Sequence, residues 1–222
     1  VWQVLYEGLK DRNFTILAVA MDAREGAPRP WVEAAKPSYP CLIDRHHRVA
    51  ELYNMVNVPQ AVWIDEDGKI VRPTESAGAY EGFRKMDRRT FKVPDEVAEI
   101  TRRAKQTYVD AVRDWVIHGA SSLHAFDREQ AKARLNLPDE GVALGHARFR
   151  LGLYLLGRSK EAQAAEHFAA ARRLHPDSWN IWRQTHGVDA RGLASGPEFW
   201  ARVDALGDKR YYAPVDMKGM PG

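Results

Sequence analysis

Apolar residues change their spacing twice along this chain, and each change predicts a different kind of element. Residues 1–12 are spaced as a helix with Val1, Val4, Leu5 and Leu9 on one face, closing in the polar corner Lys10, Asp11, Arg12 and Asn13. Residues 14–20 form a continuous apolar run with β-branched members, which predicts a strand buried on both faces, as in a parallel sheet. Met21 and Asp22 lead into a Gly/Pro loop, and Pro30 is placed to start a helix at Trp31. Residues 39–43 predict a second short strand, followed by a helix over about 45–53. The run 60–65 turns through Asp65, Glu66, Asp67 and Gly68 into Lys69, Ile70 and Val71; Asp-Gly between apolar runs is a strong hairpin signal. This order of elements predicts an α/β layer architecture.

From about Thr74 the pattern loosens. Residues 74–94 read as a loop, and the spacing beyond is wholly helical: 95–118, about 127–135, 142–156, 159–175, 177–185 and 197–206. The expected organisation is an α/β domain over 1–80, a linker over 81–94, an all-α domain over 95–210 and an extended tail over 211–222.

Composition adds little to this picture. The 222 residues are 45% apolar and 28% charged, as in an ordinary globular protein. A net charge of +3 is too small to imply a nucleic-acid or membrane-surface partner. No apolar run approaches the roughly 18 residues that a membrane span needs. Arg84, Lys85, Arg88, Arg89 and Lys92, interleaved with Phe83 and Phe91, read as a solvated linker rather than an anion site. His46 and His47 point about 100° apart on a helix and read as a solvated face, not as metal ligands. His118 and His124 form no constellation, Ser121 and Ser122 beside His124 make no nucleophile–base pair, and no glycine-rich phosphate loop is present. No metal and no cofactor is expected.

Several pieces in order resemble the thioredoxin-like family, in its TlpA/ResA-like and peroxiredoxin-like branches. They are Leu5-Tyr6-Glu7 with Lys10-Asp11-Arg12, the strand and exit at 16–22, and Tyr39-Pro40-Cys41-Leu42-Ile43-Asp44. They continue with Val49-Ala50-Glu51-Leu52-Tyr53, Val56-Asn57-Val58-Pro59 and the hairpin 62–71. The resemblance implies a cis-proline at Val58-Pro59, a loop that offers backbone groups to a bound substrate. It also implies a reactive Cys-x-x-Cys pair opening the first helix after a core strand, one that lies between the 14–20 and 60–65 strands. That helix is under way at Val1, so strand and pair are expected ahead of Val1, in an N-terminally truncated reading of a longer protein. Selenocysteine in the pair, its codon read as a stop, is one route to such truncation. Cys41, the single cysteine, allows no intrachain disulfide. It reads as a small buried hydrophobe, with a resolving thiol as the functional alternative.

Residues 145–178 resemble a tetratricopeptide unit: Leu151, Gly152, Leu155, Ala164, Phe168, Ala171 and Pro176 fall in register, while Arg148 stands where Trp is common. Small residues at 152, 164 and 171 would let two helices approach, with Phe168 between them. The function expected is a thiol–disulfide oxidoreductase or peroxiredoxin-like enzyme acting on a protein disulfide or peroxide, inactive without the upstream pair. The helix pair would dock a protein partner. The alternative is a non-catalytic thioredoxin-fold scaffold that binds proteins. Fused helices and a lone cysteine fit the cytoplasm; the TlpA/ResA-like branch fits export.

Overall fold

The computed structural model describes residues 1–189 and 192–221. Its elements follow in order as helix α1 (Trp2–Leu9), strand β1 (Ala18–Ala20), α2 (Arg29–Ala35), β2 (Cys41–Ile43), α3 (Arg48–Leu52), β3 (Gln60–Ile64) and β4 (Ile70–Ser76). Beyond a 3-10 turn at Glu81–Lys85 come α4 (Asp95–His118), α5 (Arg128–Ala133), α6 (Glu140–Leu156), α7 (Glu161–Leu174), α8 (Trp179–Gln184) and α9 (Pro197–Asp204). The chain is mixed α/β. Contacts divide it into two compact units, each assembled from separated stretches.

The first unit comprises Val1–Thr15, Pro59–Leu135 and Pro197–Gly222; Gly222, the end of the expected tail, lies outside the described residues. Its core joins Leu5 and Leu9 of α1, Trp63 of β3, and Tyr108, Val109 and Val112 of α4. Val1 and Val4, expected on the same helical face as Leu5, are instead exposed. A single-sided helix buries only the stripe at i, i+4, and Trp2 rather than Val4 flanks it. β3 and β4 pair antiparallel, Ile64 opposite Ile70, around a turn in which Gly68 takes φ 77° and Asp65 Oδ1 accepts the Lys69 N–H at 2.8 Å. β4 runs on to Ser76, past the expected start of the loop at Thr74, because irregularities in the register accommodate Pro73, which has no N–H to give the ladder. Gly78 then passes so close to α4 that a Cβ there would stand 2.7 Å from the Tyr108 Cβ. Residues 81–94 carry the 3-10 turn, whose Phe83 packs edge-on against Tyr211 at 4.8 Å and near Phe199 of α9. Tail residues Val215, Met217 and Met220 lie on the same core.

The second unit comprises Ile16–Val58 and Asn136–Gly196; Ala190 and Arg191, inside the expected helical domain, lie outside the described residues. β1 and β2 pair in parallel, Ala18 with Cys41 and Ala20 with Ile43. The strand expected over 14–20 and buried on both faces is only three residues long, and Leu17, Leu42 and Ile43 are 60%, 52% and 45% exposed. Double burial requires cover on both faces and a ladder on both edges, and β1 has one neighbour among the described residues. The Asp44 carboxylate caps α3, accepting N–H groups of Arg48 at 2.8 Å and Val49 at 2.7 Å. α6 and α7 form a helical hairpin over a four-residue connection. A Cβ on Gly152 would come within 2.5 Å of the Phe168 ring, and Ala164 and Ala171 are buried to 1% or less. Small side chains are therefore what allows the two helices their spacing.

Candidate functional site

Val58 and Pro59, the residues assigned to binding from the sequence, end the loop between α3 and β3, and one short helix of the second unit, α8, holds both that loop and the segment that leaves β1. Met21 follows β1. Its carbonyl accepts from Gln184 Nε2 at 3.3 Å, and the Ala23 N–H donates to Gln184 Oε1 at 2.8 Å. In the loop leading to Val58, the Met55 carbonyl accepts from Asn180 Nδ2 at 2.8 Å. The Val56 carbonyl accepts both the Trp179 and Asn180 backbone N–H groups, at 2.7 and 3.2 Å. Buried Asn57 presents Oδ1 to the Val58 N–H at 2.9 Å and to Arg183 Nη1 at 2.9 Å. α8 thus fixes the path of both loops.

Val58 and Pro59 are exposed, and the Pro59 carbonyl accepts the Ala77 N–H at 3.2 Å in the first unit. Cys41 opens β2 as a free, half-buried thiol 3.8 Å from the Tyr39 carbonyl. It is less enclosed than the small buried hydrophobe expected there. Its strand neighbours Leu42 and Ile43, on opposite faces, are exposed as well, so neither face of β2 is closed over. The α8 side chains that organise these loops were missed from sequence. Asn180, Arg183 and Gln184 read there as ordinary polar positions of a helix, and only their long-range partners set them apart.

Buried polar groups outside these loops separate into satisfied and unsatisfied sets. Arg72, 1% exposed, has every side-chain nitrogen bonded: it forks onto Glu75 at 2.7 and 2.8 Å and donates to the carbonyls of His124 and Asp216. Its guanidinium also lies 4.2 Å from the Phe126 ring centre. Ser122 donates to Asp114 at 2.6 Å, and His118 Nδ1 lies 2.8 Å from the other Asp114 oxygen. The hydroxyl therefore meets a carboxylate and no base positioned for nucleophilic attack. Of the basic run, Arg88 forks onto Asp204 and covers Trp200, and Arg84 donates to Glu81 and the Gly207 carbonyl. Those two guanidinium groups are tied to the first unit and are not part of a solvated linker.

His47 corrects a further expectation. His46 is exposed, but His47 is 1% exposed, in the left-handed region at φ 53°, with neither ring nitrogen hydrogen-bonded. That backbone turn aims the ring inward, edge-on to Phe149 at 4.9 Å, where regular helical geometry would have aimed it outward. His146 of α6 is likewise buried with both ring nitrogens unbonded, and His175 is buried with Nε2 unbonded. Burial pushes the His47 and His146 imidazoles down to about 4, and depresses His175 in the same direction.

Among the described residues, no three His, Cys, Asp or Glu side chains stand together as a metal site would require. A recess beside Tyr80, Glu81, Arg210 and Tyr212 encloses about 20 Å³, room for about one water and too small for a substrate. No helix among the described residues is long and apolar enough to cross a membrane. Residues 2–72, from α1 into β4, match the model of the AhpC/TSA family. This supports a thioredoxin-like, peroxiredoxin-like character for that stretch, which is less than half of the chain. No curated protein and no solved structure matches the chain.

Proposed function

We propose that this chain carries the body of a thioredoxin-like redox protein of the thiol–disulfide or peroxide class, with a reactive thiol or selenol pair supplied ahead of Val1. The observation that carries the reading is the AhpC/TSA match over residues 2–72, the same residues that fold in the order α1, β1, α2, β2, α3, β3, β4. A second observation supports a further strand. In the parallel ladder Ala18 and Ala20 face β2, so the N–H and C=O of Val19 point to an edge with no strand partner among the described residues. Among the described residues β3 likewise has a strand on one edge only.

In this reading a thiolate at the start of α1 is favoured by the helix N-terminus. It attacks one atom of the target disulfide or peroxide and expels the other as thiolate or hydroxide. The second thiol of the pair then attacks the sulfur or selenium of the first and expels the group still held there, the substrate's second thiolate or, after peroxide, hydroxide, leaving the pair joined to each other and the substrate reduced by two electrons. Val58 and Pro59 present backbone to the substrate, with Pro59 in the cis form. Cys41 serves as a resolving thiol only if the upstream element holds a single chalcogen. The α6–α7 hairpin is read as a tetratricopeptide-like pair that docks a protein partner, within a chain organised as 1–80 and 95–210.

A non-catalytic protein-binding scaffold is the second reading. It is favoured by the fact that Cys41 is the chain's single cysteine. Reading the coding DNA ahead of Val1, through any in-frame UGA, separates the two. A Cys-x-x-Cys or selenocysteine element there, with insulin or peroxide reduction gained by the extended protein and absent from Val1–Gly222 alone, supports the enzyme. An upstream strand without sulfur or selenium, or reduction of insulin by Val1–Gly222 alone, removes it.

A further inference from the structure

The second unit buries three imidazoles that its loops and its proposed redox role do not use. We propose that His47, His146 and His175 form an acid-released latch that holds α3 and the end of α7 on α6 while the rings are neutral. His47 reaches Phe149 of α6 from the start of α3, and His175, at the end of α7, packs edge-on to His146 of α6 with ring centres 5.3 Å apart. The fit is close: a Cβ on Gly145 would stand 3.1 Å from the His175 Cβ. Neutral rings behave here as flat apolar side chains. A protonated ring would place a full charge in the same space with no acceptor.

The surrounding charges do not rescue the protonated form. On the α3 side Asp22, Asp44 and His46 face His47, but both Asp44 oxygens already cap the helix. Glu51 and Arg150 face His146 along with His47 and His175, and Glu51 is paired with both Arg48 and Arg150. Asp139 and Asp177 face His175, and Asp139 caps α6 through the Val142 N–H. Asp22 is paired with Arg24, so the acids within reach of His47 and His146 already have partners, while a second charged ring would repel the first.

The sign follows from the depressed imidazoles. Above about pH 6.5 open and closed forms bind the same number of protons; below it the open form takes up protons that the closed form refuses until about pH 4. Between pH 7 and pH 5 the open-to-closed ratio should therefore rise about 20-fold per ring, on the order of 400-fold for His47 and His146 together.

The test is amide hydrogen exchange of the whole chain at pH 7 and pH 5, corrected for intrinsic rates, alongside NMR titration of the histidine rings. The latch predicts that protection falls by these factors in α3, α6 and α7 but not in α4 of the first unit, and that the buried rings titrate together with that loss. His146→Gln should cut the pH dependence by about 20-fold. If that variant does not fold, the wild-type titration alone decides. Rings that titrate near 6.5 with protection unchanged would overturn the proposal, as would equal loss of protection in α4.

Discussion

Asn180 donates its side-chain amide to the Met55 carbonyl at 2.8 Å across 125 positions of sequence, with both groups buried. The same residue's backbone N–H donates to Val56, so one residue of a six-residue helix fixes two successive carbonyls of the loop leading to Val58. Asn180→Leu keeps the branched shape but leaves the Met55 carbonyl buried without a partner, which costs about 1–3 kcal/mol. The urea midpoint should fall accordingly, and proteolysis between residues 53 and 59 should quicken. An unchanged midpoint would mean that the loop holds its path without α8.

Gly152 tests the spacing of the α6–α7 hairpin. Helix propensity alone favours alanine over glycine by about 1 kcal/mol, yet a methyl group there would meet the Phe168 ring at 2.5 Å. Overpacking of this kind costs about 1–3 kcal/mol. Gly152→Ala should therefore lower the thermal midpoint, and adding Phe168→Leu should restore much of it. A Gly152→Ala protein more stable than the wild type would show the helices to be further apart.

Arg72 is a buried charge with all three side-chain nitrogens hydrogen-bonded. Arg72→Met leaves the Glu75 carboxylate, 13% exposed, and the carbonyls of His124 and Asp216 without their shared partner. Breaking one side of a buried pair costs about 3–5 kcal/mol. Chemical denaturation should show a loss of that size. A loss below about 1 kcal/mol would show that water replaces the guanidinium.

Asp44 caps α3 from four residues before its first N–H. Asp44→Ala should cost about 0.5–2 kcal/mol, in the range of other cap deletions. It should also raise exchange at the amides of Arg48 and Val49 before others in the second unit. Asp44→Asn, which keeps one acceptor oxygen, should recover part of the loss. Equal exchange in both variants would argue that the carboxylate is not the cap.

Residues whose neighbours in sequence settle their fate were legible without a structure. Apolar spacing marked α4 over Asp95–His118, where Pro94 precedes the first turn and Gly119, at φ 56°, follows the last. Asp-Gly at 67–68 marked the hairpin, and the small residues at 152, 164 and 171 marked a close helix pair, because steric fit between adjacent turns is a local property. The match to a redox family over residues 2–72 followed from the same ordered pieces.

Tertiary structure decided what depended on distant partners. Whether 14–20 is a doubly buried strand turns on neighbours that apolarity cannot specify, and here only Ala18–Ala20 is paired. One residue in the left-handed region turned His47 from a surface position into the core. Asn180 and Gln184 became loop anchors only because the fold returns them to residues 21–56. Periodicity reports which face of an element is apolar; it carries no information on which element covers that face, and buried polar chemistry is set by that second choice.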